Sequence, residues 1–253
     1  RKTETRILVG IEKMRKKSTN MPLHEALFLA ELWCGRIAAL PGIEQVEIAG
    51  SVRRWKTSVG DLDFVAATSN PQAASQAFLS LPDIASVNSR GESKISVQLS
   101  SGIAMQLWMQ PKERFGSLLQ FVTGSKEHNV HLREISQHKR LSLSERGFLD
   151  ADGEETLCEQ EETVYHTLGL PFIPPEMRED RGEIQAAIDG TLPQIVEEPN
   201  LLSDLHIHTD WSDGKGSIER MVCKALSRGL KLIAITDHSP TWKHIGSLTI
   251  ESL

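Results

Sequence analysis

Apolar residues recur at helical spacing in two early stretches. Residues 3–17 carry Ile7, Leu8, Ile11 and Met14 on one face, with Lys13, Arg15, Lys16 and Lys17 near the C-terminal end. Cations there suit the helix dipole. Ser18, Thr19, Asn20 and then Pro22 break the pattern. Residues 23–39 resume it with Leu23, Ala26, Leu27, Ala30, Leu32, Trp33 and Ile37, and Leu40 follows before Pro41-Gly42 ends the helix. Short strands are predicted at 46–49 and 61–67, a helix at 72–81, and two strands at 95–99 and 103–109. Ser100-Ser101-Gly102 between the last two reads as a hairpin turn.

From Ser117 the pattern is mostly helical through about residue 142. Residues 148–158 are polar and turn-rich, with Asp152-Gly153. Short helices are predicted at 163–168 and 182–188, on either side of Pro171, Pro174 and Pro175. The stretch from Pro193 to Asn200 reads as a linker. A strand at 201–208, a helix at 218–228 and an apolar strand at 232–236 then follow. That β-α-β order opens a parallel α/β domain. One such unit cannot bury its own sheet, so this domain is expected to be incomplete here.

The composition adds few exclusions. The chain has 253 residues, 39% hydrophobic and 25% charged, the profile of a globular protein. No run of about 18 apolar residues predicts a membrane-spanning helix. The first residue is Arg1, not Met, so the chain is expected to be a piece of something longer. Cys34, Cys158 and Cys223 are few and far apart, which points to free thiols in a reducing compartment. The net charge of −6 argues weakly against nucleic acid, but the charge is unevenly placed. Residues 1–60 sum to +5, whereas residues 145–199 sum to −12. A basic front and an acidic middle suggest modules with different partners, or simply solvated faces.

The densest chemistry lies in Gly50-Ser51-Val52-Arg53-Arg54 and Gly60-Asp61-Leu62-Asp63. Asp61 and Asp63 are two apart on a predicted strand, so both carboxylates leave the same face. Paired carboxylates repel unless cations lie between them, and Mg²⁺ with substrate phosphates meets that need. Gly50-Ser51 after a strand lets backbone N–H groups approach a phosphate, and Arg54 offers a bidentate donor. A DxD pair alone is usually a surface turn; the whole set at this spacing is specific.

The stretch GSVRRWKTSVGDLD resembles the palm of the family X DNA polymerases, the polymerase-beta-like branch of the nucleotidyltransferases. Phe121-Val122-Thr123-Gly124-Ser125 resembles that family's YFTGS segment, which packs against the sugar of the incoming nucleotide. Asn129 and Arg133 fall where the family contacts the base edge and the minor-groove side of the nascent pair, and their spacing puts both on one helix face. The segment from Lys2 to Ile11 looks like the tail of a helix-hairpin-helix that grips DNA backbone. The resemblance covers about residues 1–190. It implies two-metal phosphoryl transfer, with Asp61 and Asp63 holding Mg²⁺ or Mn²⁺ and with Gly50, Ser51, Arg54, Gly60, Phe121, Thr123, Gly124, Asn129 and Arg133 around the nucleotide. Two departures stand out. The family's third aspartate is Gln106 here, and its Tyr-Phe is Phe121-Val122. Glutamine is neutral, cannot accept the 3′-hydroxyl proton, and is a weaker metal ligand.

A second constellation begins at Asp204-Leu205-His206-Ile207-His208. His206 and His208 share a strand face, which suits nitrogen ligands to one metal site. Ser212-Asp213-Gly214 and Thr236-Asp237-His238-Ser239 follow, the latter after an apolar strand. Together they resemble the opening of a polymerase-and-histidinol-phosphatase (PHP) domain, a distorted β/α barrel with a Zn²⁺ or Mn²⁺ site. The resemblance implies His206, His208, Asp213 and His238 as ligands. A palm followed by such a domain is the layout of bacterial family X polymerases, where the second domain is linked to 3′–5′ exonuclease activity.

The expected architecture is therefore a multidomain α/β and α+β chain. Residues 1–19 would be the tail of the helix-hairpin-helix fingers, 20–113 a nucleotidyltransferase palm with a mixed sheet, and 114–195 a helical or α+β thumb. Residues 196–200 would be a linker and 201–253 the start of the PHP barrel. The expected partners are gapped or primed DNA and a dNTP, with no membrane, in the bacterial cytoplasm with the nucleoid. Three functions compete: a short-gap repair polymerase with an appended exonuclease, a polymerase-degenerate DNA-binding platform serving that exonuclease, and a nucleotidyltransferase acting on RNA or a small molecule. The Thr-Gly-Ser segment with Asn129 and Arg133 disfavours the third. His128, His131 and His138 are expected on the surface, Trp33 and Trp108 in the core, and the acidic run from Glu154 to Glu162 on a solvated face.

Overall fold

Strand alternation organises the first half of the computed structural model, which describes residues 20–239. The predicted basic helix at 3–17 lies outside the described residues. A two-residue strand, β1 (Met21–Pro22), leads into α1 (Leu23–Ala38). Ala26, Ala30, Trp33 and Ile37 form the buried stripe of α1. Then come β2 (Gln45–Ile48), the single turn α2 (Gly50–Arg53), β3 (Ser58–Val59) and β4 (Asp61–Ala67). Helix α3 (Pro71–Leu79) starts on Asn70, whose side chain accepts from the Ala73 N–H at 3.1 Å. Strands β5 (Ile84–Arg90), β6 (Lys94–Leu99) and β7 (Ala104–Gln110) complete a mixed sheet of order β2-β4-β7-β6-β5. The pairing of β4 with β7 is parallel and the other three are antiparallel.

The two sheet faces are covered differently. Leu62, Phe64, Ala66, Ile95, Val97, Met105, Leu107 and Met109 pack with the stripe of α1 and with Phe78 of α3. Burying each such large side chain contributes about 1.5–3 kcal/mol. On the opposite face Val65 and Ala67 meet Phe115, Leu118 and Leu119 of α4 (Phe115–Thr123). Helix α4 covers only the far end of β4. The near end carries Asp61 and Asp63 on the same face, half-buried.

Sequence periodicity continues across two helices here, because apolar spacing does not register a local turn. Helix α4 stops at Gly124, which has φ +66°. Ser125 then caps α5 (Lys126–His138) by accepting from the His128 N–H at 3.2 Å. Strand β5 was not predicted; it is an exposed edge strand without apolar alternation. The polar stretch after α5 likewise holds a small antiparallel sheet of β8 (Ser142–Ser144), β9 (Gly147–Leu149) and β10 (Glu155–Thr156). Helices α6 (Glu161–Thr167) and α7 (Glu183–Ile188) close a second core around Leu132, Phe148, Val164, Tyr165, Ile173 and Ile184. Gly116 admits the close approach of residue 160; a Cβ there would lie 2.2 Å from the Gln160 carbonyl carbon.

Three expectations of burial are corrected. His128 is fully buried, not exposed. Its ring lies 2.7 Å from Glu183 through Nδ1 and 3.1 Å from the Tyr165 hydroxyl through Nε2, so hydrogen bonding meets its polar needs inside the core. Glu161 in the acidic run is buried too, because two arginines neutralise it. Trp108 is half-buried, with Lys94 Nζ 4.0 Å above its ring, while Trp33 is in the core as expected. His131 is half-exposed and His138 exposed. Burial lowers the His128 pKa from 6.5 to about 4, against the pull of Glu183. The unfolded chain thus takes up a proton near pH 6.5 that the folded chain refuses until about pH 4. Stability is expected to fall as pH drops through that window, by on the order of 3 kcal/mol. Melting temperatures between pH 7 and 4.5 check this, and the slope should flatten in His128→Gln.

The chain divides into two units, Arg1–Pro193 and Gln194–Leu253. The second holds parallel strands β11 (Ser203–Ile207) and β12 (Leu232–Ile235) joined through α8 (Ile218–Ser227). Leu205, Leu226 and Leu232 are exposed. No helix among the described residues is long and apolar enough to cross a membrane. Cys34, Cys158 and Cys223 are free thiols.

Candidate active site

The turn between β2 and α2 is built onto Asp63. The Ala49 N–H donates to the Asp63 carbonyl at 2.8 Å, and Gly50 follows at φ +59°. A Cβ on Gly50 would stand 2.1 Å from Asp63 Oδ2, so only glycine lets the chain pass this carboxylate. A cleft of about 470 Å³ opens beside this turn. Gly50, Ser51, Arg54, Asp61 and Asp63 form one wall; Phe121, Gly124, Asn129 and Arg133 line it from α4 and α5, along with Val122 and Lys126. The structure thus brings together nine of the residues singled out in the sequence. Gly60 and Thr123 are not among the walls. Thr123 is fully buried, with its hydroxyl accepting from Arg53 Nη1 at 2.7 Å.

The acidic end of the cleft sets two carboxylates side by side. Burial, then the neighbouring Asp61, pushes the Asp63 pKa up to about 7, although Lys94 and Arg54 pull it down. Gln106 lies opposite Asp63 in the β4–β7 register, and its Nε2 donates to Asp61 Oδ2 at 2.7 Å. Two oxygen-donor side chains that resist ionising together suit a hard divalent cation such as Mg²⁺ or Mn²⁺. Ser51 Oγ is buried without a hydrogen-bond partner, an unmet polar need on the same wall.

Ion pairs from distant segments brace the cleft. Arg53 forms a bidentate pair with Glu161 at 2.9 and 2.7 Å, and Arg178, fully buried, holds the same carboxylate. Arg54 Nε donates to Glu179 at 2.9 Å, and its Nη1 donates to the Thr123 carbonyl. Asn129 accepts from Gln120 at 2.8 Å and donates to the Phe121 carbonyl at 2.7 Å, which fixes α5 against α4. Glu161, Arg178 and Glu179 were missed in the sequence. Glu161 lies 108 positions from Arg53 and Glu179 lies 125 from Arg54, beyond any spacing rule, and Arg178 joins the network through Glu161.

A second candidate site lies at the strand ends of the second unit. His206 and His208 stack with Nε2 atoms 2.8 Å apart. His208 Nδ1 is 2.8 Å from Asp213, and His238 Nε2 is 3.5 Å from the same carboxylate. Donor atoms of His208, Asp213 and His238 all lie within 4.8 Å of one another, and this nitrogen and oxygen set suits Zn²⁺ or Mn²⁺. Asp237 was not singled out from the sequence. It accepts from the Thr209 N–H at 2.7 Å and from the hydroxyls of Thr209 and Ser212, which shapes the loop between His208 and Asp213.

Comparison with known proteins agrees with two modules. Residues 118–179 match the DNA polymerase beta thumb, and residues 204–248 match the PHP domain. Along its full length the chain is 34% identical to the DNA polymerase/3'-5' exonuclease PolX of Bacillus subtilis (strain 168). It spans 45% of that relative's length.

Proposed function

Since the chain belongs with the family X, polymerase-beta-like proteins that carry a PHP domain, we propose that its first unit is a nucleotidyl-transfer module for gapped or primed DNA. In this reading residues 20–113 are the palm, 114–195 the thumb, 196–200 the linker and 201–253 the opening of the PHP β/α barrel. Residues 1–19, the proposed fingers tail, lie outside the described residues. The observation that carries the reading is one cleft holding Asp61, Asp63, Ser51, Arg54, Asn129 and Arg133.

A divalent cation, Mg²⁺ or Mn²⁺, would supply the charge that lets a hydroxyl displace pyrophosphate. Asp61 and Asp63 would hold it. Arg54 and Ser51 offer donors to the triphosphate of a dNTP. Phe121 and Gly124 border its sugar, and Asn129 and Arg133 face its base from one side of α5. In the second unit His206, His208, Asp213 and His238 would hold Zn²⁺ or Mn²⁺ for phosphoester hydrolysis, the 3′–5′ exonuclease role. Free thiols are consistent with work in the cytoplasm at the nucleoid.

One observation favours a second reading. Gln106 donates to Asp61 where a third carboxylate would receive the hydroxyl proton. A palm of this kind can bind nucleotide and DNA yet transfer poorly, serving as a platform for the exonuclease. A binding experiment tests what both readings share. With Ca²⁺ present, the templated dNTP is expected to tighten binding to a one-nucleotide gapped duplex, and Asp63→Asn is expected to abolish the effect. Equal affinity with every dNTP and with none would rule out a nucleotide site.

A further inference from the structure

We propose that Glu179 is a positioning residue that aims Arg54 at the phosphates of the bound nucleotide. The inference rests on reading the cleft as a nucleotide site. It starts from how the Arg54 guanidinium is held. Nε donates to Glu179 Oε1 at 2.9 Å, and Nη1 donates to the Thr123 carbonyl. Neither bond uses Nη2. Arg54 lines the cleft beside Ser51, whose hydroxyl lacks a partner, and its charge reaches Asp63. Two edges of the fork are anchored, and neither anchor takes the remaining nitrogen.

Anchoring matters because an arginine side chain has many rotamers. Fixing it before the ligand arrives removes an ordering cost from binding. The anchor is itself firm. Glu179 follows Arg178, whose side chain is fully buried and whose carbonyl accepts from the Ser125 N–H at 2.9 Å. The Glu179 side chain is only 20% exposed.

Charge decides between positioning and competition. A carboxylate on Arg54 could act as a rival to phosphate. Here Glu179 Oε2 also takes Lys56 Nζ at 3.0 Å. Two cations on one anion leave the trio with a net positive charge, so the attraction for phosphate survives. Glu179 also meets Arg54 at Nε through a single oxygen, on the edge remote from Nη1.

Calorimetric titration of the full chain tests this, with inorganic tripolyphosphate and then dATP in Mg²⁺ without DNA. E179A is expected to weaken both ligands by about five- to tenfold. E179Q keeps an oxygen acceptor for Nε and is expected to stay within about twofold of the parent. In an R54A background E179A is expected to cost nothing further, which a merely structural role would not produce. Unchanged or tighter binding by E179A, with E179Q and the melting temperature confirming folded protein, would overturn the proposal. So would an equal loss with and without Arg54. If the parent binds neither ligand, the nucleotide reading falls and takes the proposal with it, whereas a parent that binds and an indifferent E179A sink the proposal alone.

Discussion

Gln106→Asp is expected to raise nucleotidyl transfer on a one-nucleotide gapped duplex by about a hundredfold or more. Gln106 sits on β7 directly opposite Asp63, and its amide donates to Asp61 at 2.7 Å. The amide cannot take a proton from an attacking hydroxyl, and it adds no negative charge to hold a cation. An aspartate there would do both. It would also add a like charge beside Asp63, whose pKa already stands near 7, so the gain should require a divalent cation. Primer extension in Mg²⁺ and then Mn²⁺, by the parent protein beside its Gln106→Asp variant, measures the effect. Extension by the variant alone would favour the platform reading. Equal extension by both would mean another group supplies the missing function, and the repair-polymerase reading would stand.

Glu161→Ala is expected to destabilise the first unit by about 3–5 kcal/mol. The carboxylate is 4% exposed and pairs with Arg53 and with Arg178, whose side chain is fully buried. Burial alone would raise the Glu161 pKa, but the two guanidinium groups hold it below the ordinary carboxylate value. Removing it strands the buried Arg178 charge, which already has one nitrogen, Nη2, without a partner. The Tyr165 and Phe172 rings, 5.0 and 5.2 Å from that guanidinium, offset only part of the loss. The same network holds Thr123 through Arg53, so the α4 terminus at the cleft should loosen too. Urea denaturation of the parent and the variant reads the change. A loss under about 1 kcal/mol would show that water can enter and solvate Arg178. Replacing Arg53, Glu161 and Arg178 together with apolar residues is expected to cost much less than Glu161→Ala alone.

Much of the candidate site was legible because its signals are local. Asp61 and Asp63 share a face by strand alternation, and Asn129 and Arg133 share one by helical spacing. Those patterns need no knowledge of distant chain, and the cleft contains all four. The helix α1 and the central strands β4, β6 and β7 were legible for the same reason, since their apolar periods are strong. Edge strand β5 and the small β8-β9-β10 sheet were not, because exposed short strands carry almost no apolar period.

The sequence by itself determined the two clusters of chemistry, their order along the chain and the family they resemble. Tertiary structure decided which charged residues work at a surface and which support the site from inside. His128 and Glu161 look solvated by composition but are buried, because partners from remote segments satisfy them. Thr123 lies within a motif, yet it faces Arg53 and not the cleft. Glu179 reaches Arg54 across 125 positions. Local periodicity fixes which face a side chain leaves from, whereas burial of a polar group depends on whether the rest of the chain brings it a partner.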